Sequence, residues 1–144
     1  MKTEKILIVA DESPGSLKAI RYGLNLAREL GSAVMLLYVI EPELTAGNPD
    51  AGIFPDDALA TCKAKAESFL TSMKDTYGAD LNTSQLTPVG AIQGTVVDTA
   101  LNWNAGLIVA AAHGHSGLNK LFAGSIAETI IHSSPVPVLV VPQS

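Results

Sequence analysis

Cysteine, positive charge and long apolar runs are all scarce in this chain of 144 residues. The one cysteine, Cys62, excludes an internal disulfide and favours a reducing compartment. The 9 Lys and Arg residues are scattered and the net charge is −5, whereas a nucleic-acid binder needs clustered basic side chains. The longest apolar run, residues 33–40, is far shorter than the roughly 20 residues of a membrane span. We therefore expect a cytoplasmic protein with neither nucleic acid nor membrane as a partner.

Three motifs that mark common enzyme classes are also missing from the sequence. No Gly-x-x-x-x-Gly-Lys-Ser/Thr segment is present, which argues against a P-loop ATPase. The first predicted strand is not followed by Gly-x-Gly-x-x-Gly, and no Gly-x-Ser-x-Gly elbow occurs. These absences argue against dinucleotide oxidoreductases and α/β-hydrolases.

Apolar residues are abundant and fall in short blocks, with 47% of the chain hydrophobic and 16% charged. Continuous apolar segments at residues 6–10, 33–39 and 107–111 predict strands that are buried on both faces. We also predict strands at residues 81–89, which are more polar, and at residues 136–141, which have prolines at their start, and both features are typical of sheet edges. Helical spacing predicts helices from residue 13 or 14 to the stop at Gly31, from 56 or 57 to about 77, from about 94 to 103, and from 125 to 132.

Strands that alternate with helices predict an α/β fold, here a single domain with an open parallel five-stranded sheet and helices on both faces. With the first three strands wound one way and the last two the other, the strand order is 3-2-1-4-5, as in Rossmann-like folds. Ligands of such folds bind where the winding reverses, which is between strands one and four. We expect the third helix to bury Val97 and Leu101.

Two loops that suit a nucleotide would meet at this reversal point. Asp11 directly follows the first strand. The fourth strand ends at Ala111, and the segment after it contains Gly114 and, nine residues later, Gly124 and Ser125. A glycine-bearing loop that enters a helix presents backbone N–H groups and a positive dipole end to an anion. The sequence therefore predicts phosphates at the glycines and ribose or base near Asp11.

Simpler roles are open for several of these residues. Ser125 and Glu128 form a capping box, so Ser125 could only start a helix. Asp11 could be an ordinary turn residue, and Gly114 and Gly117 could be turn glycines.

Two histidines flank Gly114. His113 and His115 supply only half of a tetrahedral metal shell, with no cysteine nearby and no evident third ligand, so we predict no metal site. His113 is expected near the phosphates instead.

The chain resembles the universal stress protein family over its whole length. The segments that carry the resemblance are residues 6–13 (ILIVADES), 36–40 (LLYVI), 89–90 (VG), 114–118 (GHSGL), 123–128 (AGSIAE) and 137–142 (PVLVVP). In the ATP-binding branch of the family the glycine motif is Gly-x-x-Gly, nine residues, then Gly-Ser or Gly-Thr. Gly114, Gly124 and Ser125 match this motif with its spacing, and Ala111 replaces its first glycine.

The resemblance implies a binding mode for ATP, or for AMP or ADP, across strands one and four. Asp11 would contact ribose or adenine, and the backbone of Val39 would recognise the adenine edge. The N–H groups around Ala111, Gly114, Gly124 and Ser125 would hold the phosphates, with Mg²⁺ as a candidate bridge.

The resemblance also implies a nucleotide-dependent regulatory module of the stress response. No general base is evident, so we expect ATP hydrolysis to be slow at most. The alternative is a dimeric interaction protein of the same family that has lost nucleotide binding, with Ala111 as the mark of that loss. A homodimer through the strand that begins at Val136 and ends at Val141 is implied in both cases. A third hypothesis is an enzyme that acts on a phosphorylated small molecule in the same crevice.

Overall fold

The computed structural model describes residues 3–42, 46–112 and 126–142. Its elements are β1 (Lys5–Val9), α1 (Pro14–Leu30), β2 (Ala33–Leu37), a short 3-10 helix (Pro49–Ala51), α2 (Pro55–Tyr77), β3 (Thr83–Leu86), α3 (Ile92–Trp103), β4 (Leu107–Ala111), α4 (Ile126–Ser133) and β5 (Val138–Val141). The predicted strands and helices are confirmed, with ends that differ by a few residues. Among the described residues, no helix has the length and apolar character needed to cross a membrane.

The five strands form one parallel sheet in the order β3-β2-β1-β4-β5, as the sequence predicts. β1 is the central strand, with Ile8 opposite Leu36 on one side and Val109 on the other. The strand after β1 in the chain lies on one side of it, and β4 lies on the other. The winding therefore reverses between β1 and β4, and open α/β sheets bind their ligands at the carboxyl ends of the strands at such a point.

Local sequence signals fix both ends of α1. The Ser13 hydroxyl oxygen accepts a hydrogen bond from the Ser16 N–H at 3.2 Å, and Pro14 occupies the first turn. At the other end Gly31 adopts φ 70°, a left-handed conformation that favours glycine, and its N–H donates to the carbonyl of Ala27. The helix therefore begins immediately after the loop that carries Asp11.

Helices cover both faces of the sheet. On one face α1 and α2 pack against β1, where Ile8, Leu24 and Leu70 are fully buried in one cluster. On the other face α3 and α4 form a second cluster, in which Val96 and Ile130 pack with the β-strand residues. The central strands contribute to both clusters, and this explains why their sequences are continuously apolar.

The buried face of α3 differs from the predicted one. Val96 and Ala100 are fully buried, whereas Leu101 is 47% exposed and Val97 is only half-buried. Both pairs are separated by four residues, so helical spacing alone permits either face. Val96 and Ala100 belong to the second buried cluster, and the prediction of Val97 and Leu101 as the buried pair was wrong.

An ion pair joins α1 to the segment that follows α2. Arg28 donates from Nε to Asp80 Oδ2 at 2.6 Å and from Nη2 to Asp80 Oδ1 at 2.8 Å. Nη2 also donates to the Tyr77 carbonyl at 2.8 Å. The guanidinium lowers the pKa of Asp80 to about 2, chiefly through its hydrogen bonds. The exposed position of the pair limits its contribution to stability because solvent screens it.

We expect Asp80→Asn to remove a pH-dependent part of the stability. Because the folded-state pKa of Asp80 is lowered, its contribution is present above its ordinary pKa of roughly 4 and is lost as the pH falls towards 2. Urea unfolding midpoints of the two proteins should therefore converge between about pH 5 and pH 2. For Arg28→Gln the difference should narrow over the same pH range but keep a constant part, because the bond from Arg28 to the Tyr77 carbonyl is also lost. A difference for Asp80→Asn that stays constant with pH would contradict the assignment.

Candidate functional site

The carboxyl ends of β1, β2 and β4 bring together three of the predicted site residues. The β1–β2 ladder pairs Val9 with Leu37, and the Ala10 N–H continues it by donating to the Leu37 carbonyl at 2.8 Å. One step further along this register, Asp11 and Val39 are at the same level. Ala111 ends β4, on the other side of β1. The other predicted residues, His113, Gly114, Gly117, Gly124 and Ser125, lie outside the described residues.

Asp11 lies in a loop that is held by short hydrogen bonds. Its Oδ1 accepts from the Ser13 N–H at 2.7 Å, and its own N–H donates to the Ser16 hydroxyl oxygen at 2.7 Å. Ser16 is almost completely buried, so its hydroxyl anchors the backbone of Asp11 to the first turn of α1. The turn role that the sequence left open for Asp11 is therefore confirmed. It is compatible with ligand binding, since a carboxylate has about four acceptor positions.

Val39 presents an unpaired peptide edge. The N–H groups of its neighbours Tyr38 and Ile40 donate towards β3, to Leu86 and Pro88, at 3.0 and 2.8 Å. Along a strand, the N–H and C=O of successive residues point alternately to the two sides, so those of Val39 face the β1 side. At this level the chain after β1 has already turned towards α1. Within residues 3–42, 46–112 and 126–142 these two groups make no hydrogen bond. Such groups need water or a ligand as a partner.

Ala111, the one departure from the glycine motif, has ordinary strand geometry. It pairs in register with Val141, and the next residue, Ala112, donates its N–H to the Val141 carbonyl at 2.9 Å. Among the described residues, the only non-glycine with a positive φ is Asn104. Position 111 therefore does not need the conformational freedom of glycine, and alanine fits there without backbone strain. Its side chain is 7% exposed and packs in the core.

Tyr38 and Glu12 form a contact beside the site that the sequence did not predict. The Tyr38 hydroxyl donates to Glu12 Oε1 at 2.9 Å, and its ring meets Phe69 of α2 edge-on, with the ring centroids 6.2 Å apart. Burial and the bond to Glu12 raise the pKa of Tyr38 well above its ordinary value, so the hydroxyl stays protonated as a donor. In the sequence, the one signal for Tyr38 and Glu12 is that they are direct neighbours of Val39 and Asp11.

A family model decides the relationship of the chain to known proteins. The model of the universal stress protein family matches residues 2–142. The chain belongs to the universal stress protein family. The family resemblance inferred from the sequence segments is therefore confirmed.

Curated universal stress proteins from distant organisms support this membership. Universal stress protein MJ0531 of Methanocaldococcus jannaschii is 31% identical over 140 residues, which cover 96% of this chain and 81% of that protein. Universal stress protein A homolog 1 of Coxiella burnetii is also 31% identical, over 98% of this chain and 97% of its own length.

Solved structures of similar fold cover nearly the whole chain. The hypothetical protein MJ0577 superposes with a TM-score of 0.84 and 23% identity, over 100% of this chain and 99% of its own. A universal stress protein in complex with cAMP gives a TM-score of 0.75 at 19% identity, over 100% of both chains. A universal stress protein from Archaeoglobus fulgidus in complex with dAMP gives 0.67 at 21% identity, over 97% of this chain and 98% of that one. At these identities the likeness establishes the fold.

Proposed function

We propose that this universal stress protein binds an adenine nucleotide in the crevice at the carboxyl ends of β1 and β4 and acts as a nucleotide-dependent regulatory module in the stress response. The observation that carries the proposal is the unpaired N–H and C=O of Val39 at the same level of the sheet as Asp11. Within the described residues the N–H and C=O of Val39 make no hydrogen bond, and this donor and acceptor on one strand edge complement the edge of adenine, which offers one of each. A neighbouring carboxylate complements the ribose hydroxyls, which are donors.

The phosphates would extend from the ribose towards the segment after β4. Ala111 begins this segment, and the sequence adds the motif residues His113, Gly114, Gly117, Gly124 and Ser125. A helix follows at Ile126, so its N-terminal end would add a favourable dipole next to the phosphates. Mg²⁺ would bridge the phosphates if the ligand is ATP.

The two ligand complexes among the similar structures narrow the class of ligand. Both cAMP and dAMP contain an adenine, a sugar and one phosphate, and they differ in the sugar hydroxyls and in the cyclic phosphate. Adenine is among the groups that both ligands share, which agrees with the role proposed for Val39. For this chain we propose ATP, from the glycine motif.

The regulatory role follows from the chemistry near the crevice. Tyr38 is a protonated donor and so does not act as a general base, and the sequence shows no evident general base elsewhere. We therefore propose that any ATP hydrolysis is slow, so that the bound nucleotide serves as a signal. A cytoplasmic location remains a prediction from the single cysteine.

A second copy of the chain is the proposed protein partner. β5 is an edge strand of the sheet, and Val138, Leu139 and Val140 are each only half-buried. An apolar edge strand favours pairing with an identical strand of a second subunit. Sedimentation velocity should give the mass of a dimer, and a monomer at every concentration tested would contradict this assignment.

The proposed function is tested by isothermal titration of nucleotide-stripped protein with ATP and Mg²⁺, and in parallel with AMP. We expect a dissociation constant in the micromolar range, and release of ATP or AMP when freshly purified protein is denatured. A folded protein that neither binds nor releases an adenine nucleotide would contradict the proposal. The first variant to make in that case is Ala111→Gly, which restores the motif glycine.

A further inference from the structure

One hydrogen bond connects the direct neighbours of the two residues proposed to hold the nucleoside. Tyr38 precedes Val39, and Glu12 follows Asp11. The Tyr38 hydroxyl donates to Glu12 Oε1 at 2.9 Å, although the two residues are 26 positions apart in the chain. The bond therefore spans the gap between the end of β2 and the loop after β1. We call this contact the Tyr38–Glu12 pair.

The Tyr38 side of the pair is held rigidly. Its N–H is bonded to the Leu86 carbonyl at 3.0 Å, so the backbone continues the ladder with β3. Its ring lies edge-on to Phe69, with an interplanar angle of 73°, and both rings pack against the core between β1 and α2. The hydroxyl thus has a fixed position, and it can fix a partner in turn.

The Glu12 side of the pair belongs to the loop between β1 and α1. Asp11 and Ser13 are tied to each other and to Ser16 by hydrogen bonds, whereas the side chain of Glu12 is exposed. A hydrogen bond between a hydroxyl and an ionised carboxylate is stronger than one between neutral groups. The bonds of Asp11, Ser13 and Ser16 lie within residues 11–16, so the Tyr38–Glu12 pair adds a tie from this loop to the end of β2.

We propose that the Tyr38–Glu12 pair is a positioning device that sets the distance between Asp11 and Val39 and so preorganises the nucleoside half of the site. This inference rests on the proposed function. Preorganisation raises affinity because less ordering of the loop remains to be done when the ligand binds. Neither side chain of the pair needs to touch the ligand, so both act through their neighbours.

The test is a double-mutant cycle in nucleotide affinity. Tyr38→Phe removes the hydroxyl and keeps the ring on Phe69, and Glu12→Ala removes the acceptor. Each should weaken binding by about fivefold, as expected for one partly screened charge-assisted hydrogen bond. The double variant should bind as each single variant does, because the same bond is lost in all three proteins. Glu12→Gln keeps an acceptor oxygen and should restore most of the affinity.

Two further readouts separate positioning from a general structural role. The factor lost should be the same for adenosine, AMP and ATP, because the pair acts on the nucleoside half only. Thermal unfolding should show that the variants are folded, and Tyr22→Phe, at an exposed tyrosine of α1, should bind as the unchanged protein does.

Three results would overturn the inference. They are unchanged affinity in Tyr38→Phe, losses that multiply in the double variant, and a loss confined to ATP. Failure of the unchanged protein to bind any adenine nucleotide would overturn the proposed function, and the inference with it.

Discussion

Gly124→Val is expected to abolish nucleotide binding and to leave the protein folded. Gly124 precedes Ser125 in the glycine motif, directly before the helix that begins at Ile126. At such a position a phosphate lies against the bare backbone, so that a branched side chain would occupy the space of the phosphate oxygens. We expect the affinity for ATP to fall by at least about a hundredfold, since the phosphates lose both their space and their N–H partners.

Gly94→Val is a matched control for this prediction. Gly94 is an exposed residue of α3, and a Cβ added there meets no atom within 4 Å. The control protein should bind ATP as the unchanged protein does. Normal ATP affinity in a folded Gly124→Val protein would contradict the binding of the phosphates at the glycine motif. It would leave open the contacts proposed for Asp11 and Val39.

Gly23→Val is expected to destabilise the fold substantially. A Cβ at Gly23 would lie 2.6 Å from Cδ1 and 2.9 Å from Cγ1 of Ile8, and 3.5 Å from Cγ1 of Val109. Ile8 and Val109 are fully buried at the centre of the sheet, so neither side chain has free space to move into. Overpacking of this kind costs ~1–3 kcal/mol, and we expect a loss of about 2 kcal/mol, or about 6 °C in Tm.

The cause of the stability loss in Gly23→Val can be tested by repeating the substitution in an Ile8→Val protein. Ile8→Val removes Cδ1, the atom closest to the added Cβ, and costs roughly 1 kcal/mol by itself. In that background Gly23→Val should cost less than it does alone, and the difference measures the relieved contact. Gly94→Val again serves as the control for valine in a helix. Equal costs in both backgrounds, measured by urea unfolding, would show that the close approach of α1 to β1 is not the cause.

The strand order, and with it the point where the winding reverses, could be predicted because buried parallel strands have a strong signal. The segments around Ile8, Leu36 and Val109 are apolar at every position, as two-sided burial requires. Which face of α3 is buried could not be predicted in the same way. Val97 and Leu101 are as apolar as Val96 and Ala100, and only the packing of Ala100 against the sheet decides between them.

Some residues of the candidate site could be predicted from strand signals, whereas others could not. Asp11 and Ala111 are at the ends of strands with clear signals, so their common edge follows from topology. The role proposed for Val39 came from the family resemblance, and the structure adds that its N–H and C=O make no hydrogen bond within the described part of the chain. The Tyr38–Glu12 pair depends on a side chain reaching across from β2 to the loop after β1, and no local pattern encodes such a contact.

The most direct test of the central claim is a titration of isotope-labelled, nucleotide-stripped protein with ATP and Mg²⁺, followed at the backbone amides by NMR. The account predicts that the largest shifts occur at Asp11, Val39 and Ala111, at the carboxyl ends of β1, β2 and β4. Amides at the opposite end of the sheet, such as those of Ser32 and Asp80, should stay unchanged. Saturable shifts confined to that opposite end, or no shifts at millimolar ATP, would contradict the claim that this fold binds an adenine nucleotide between β1 and β4.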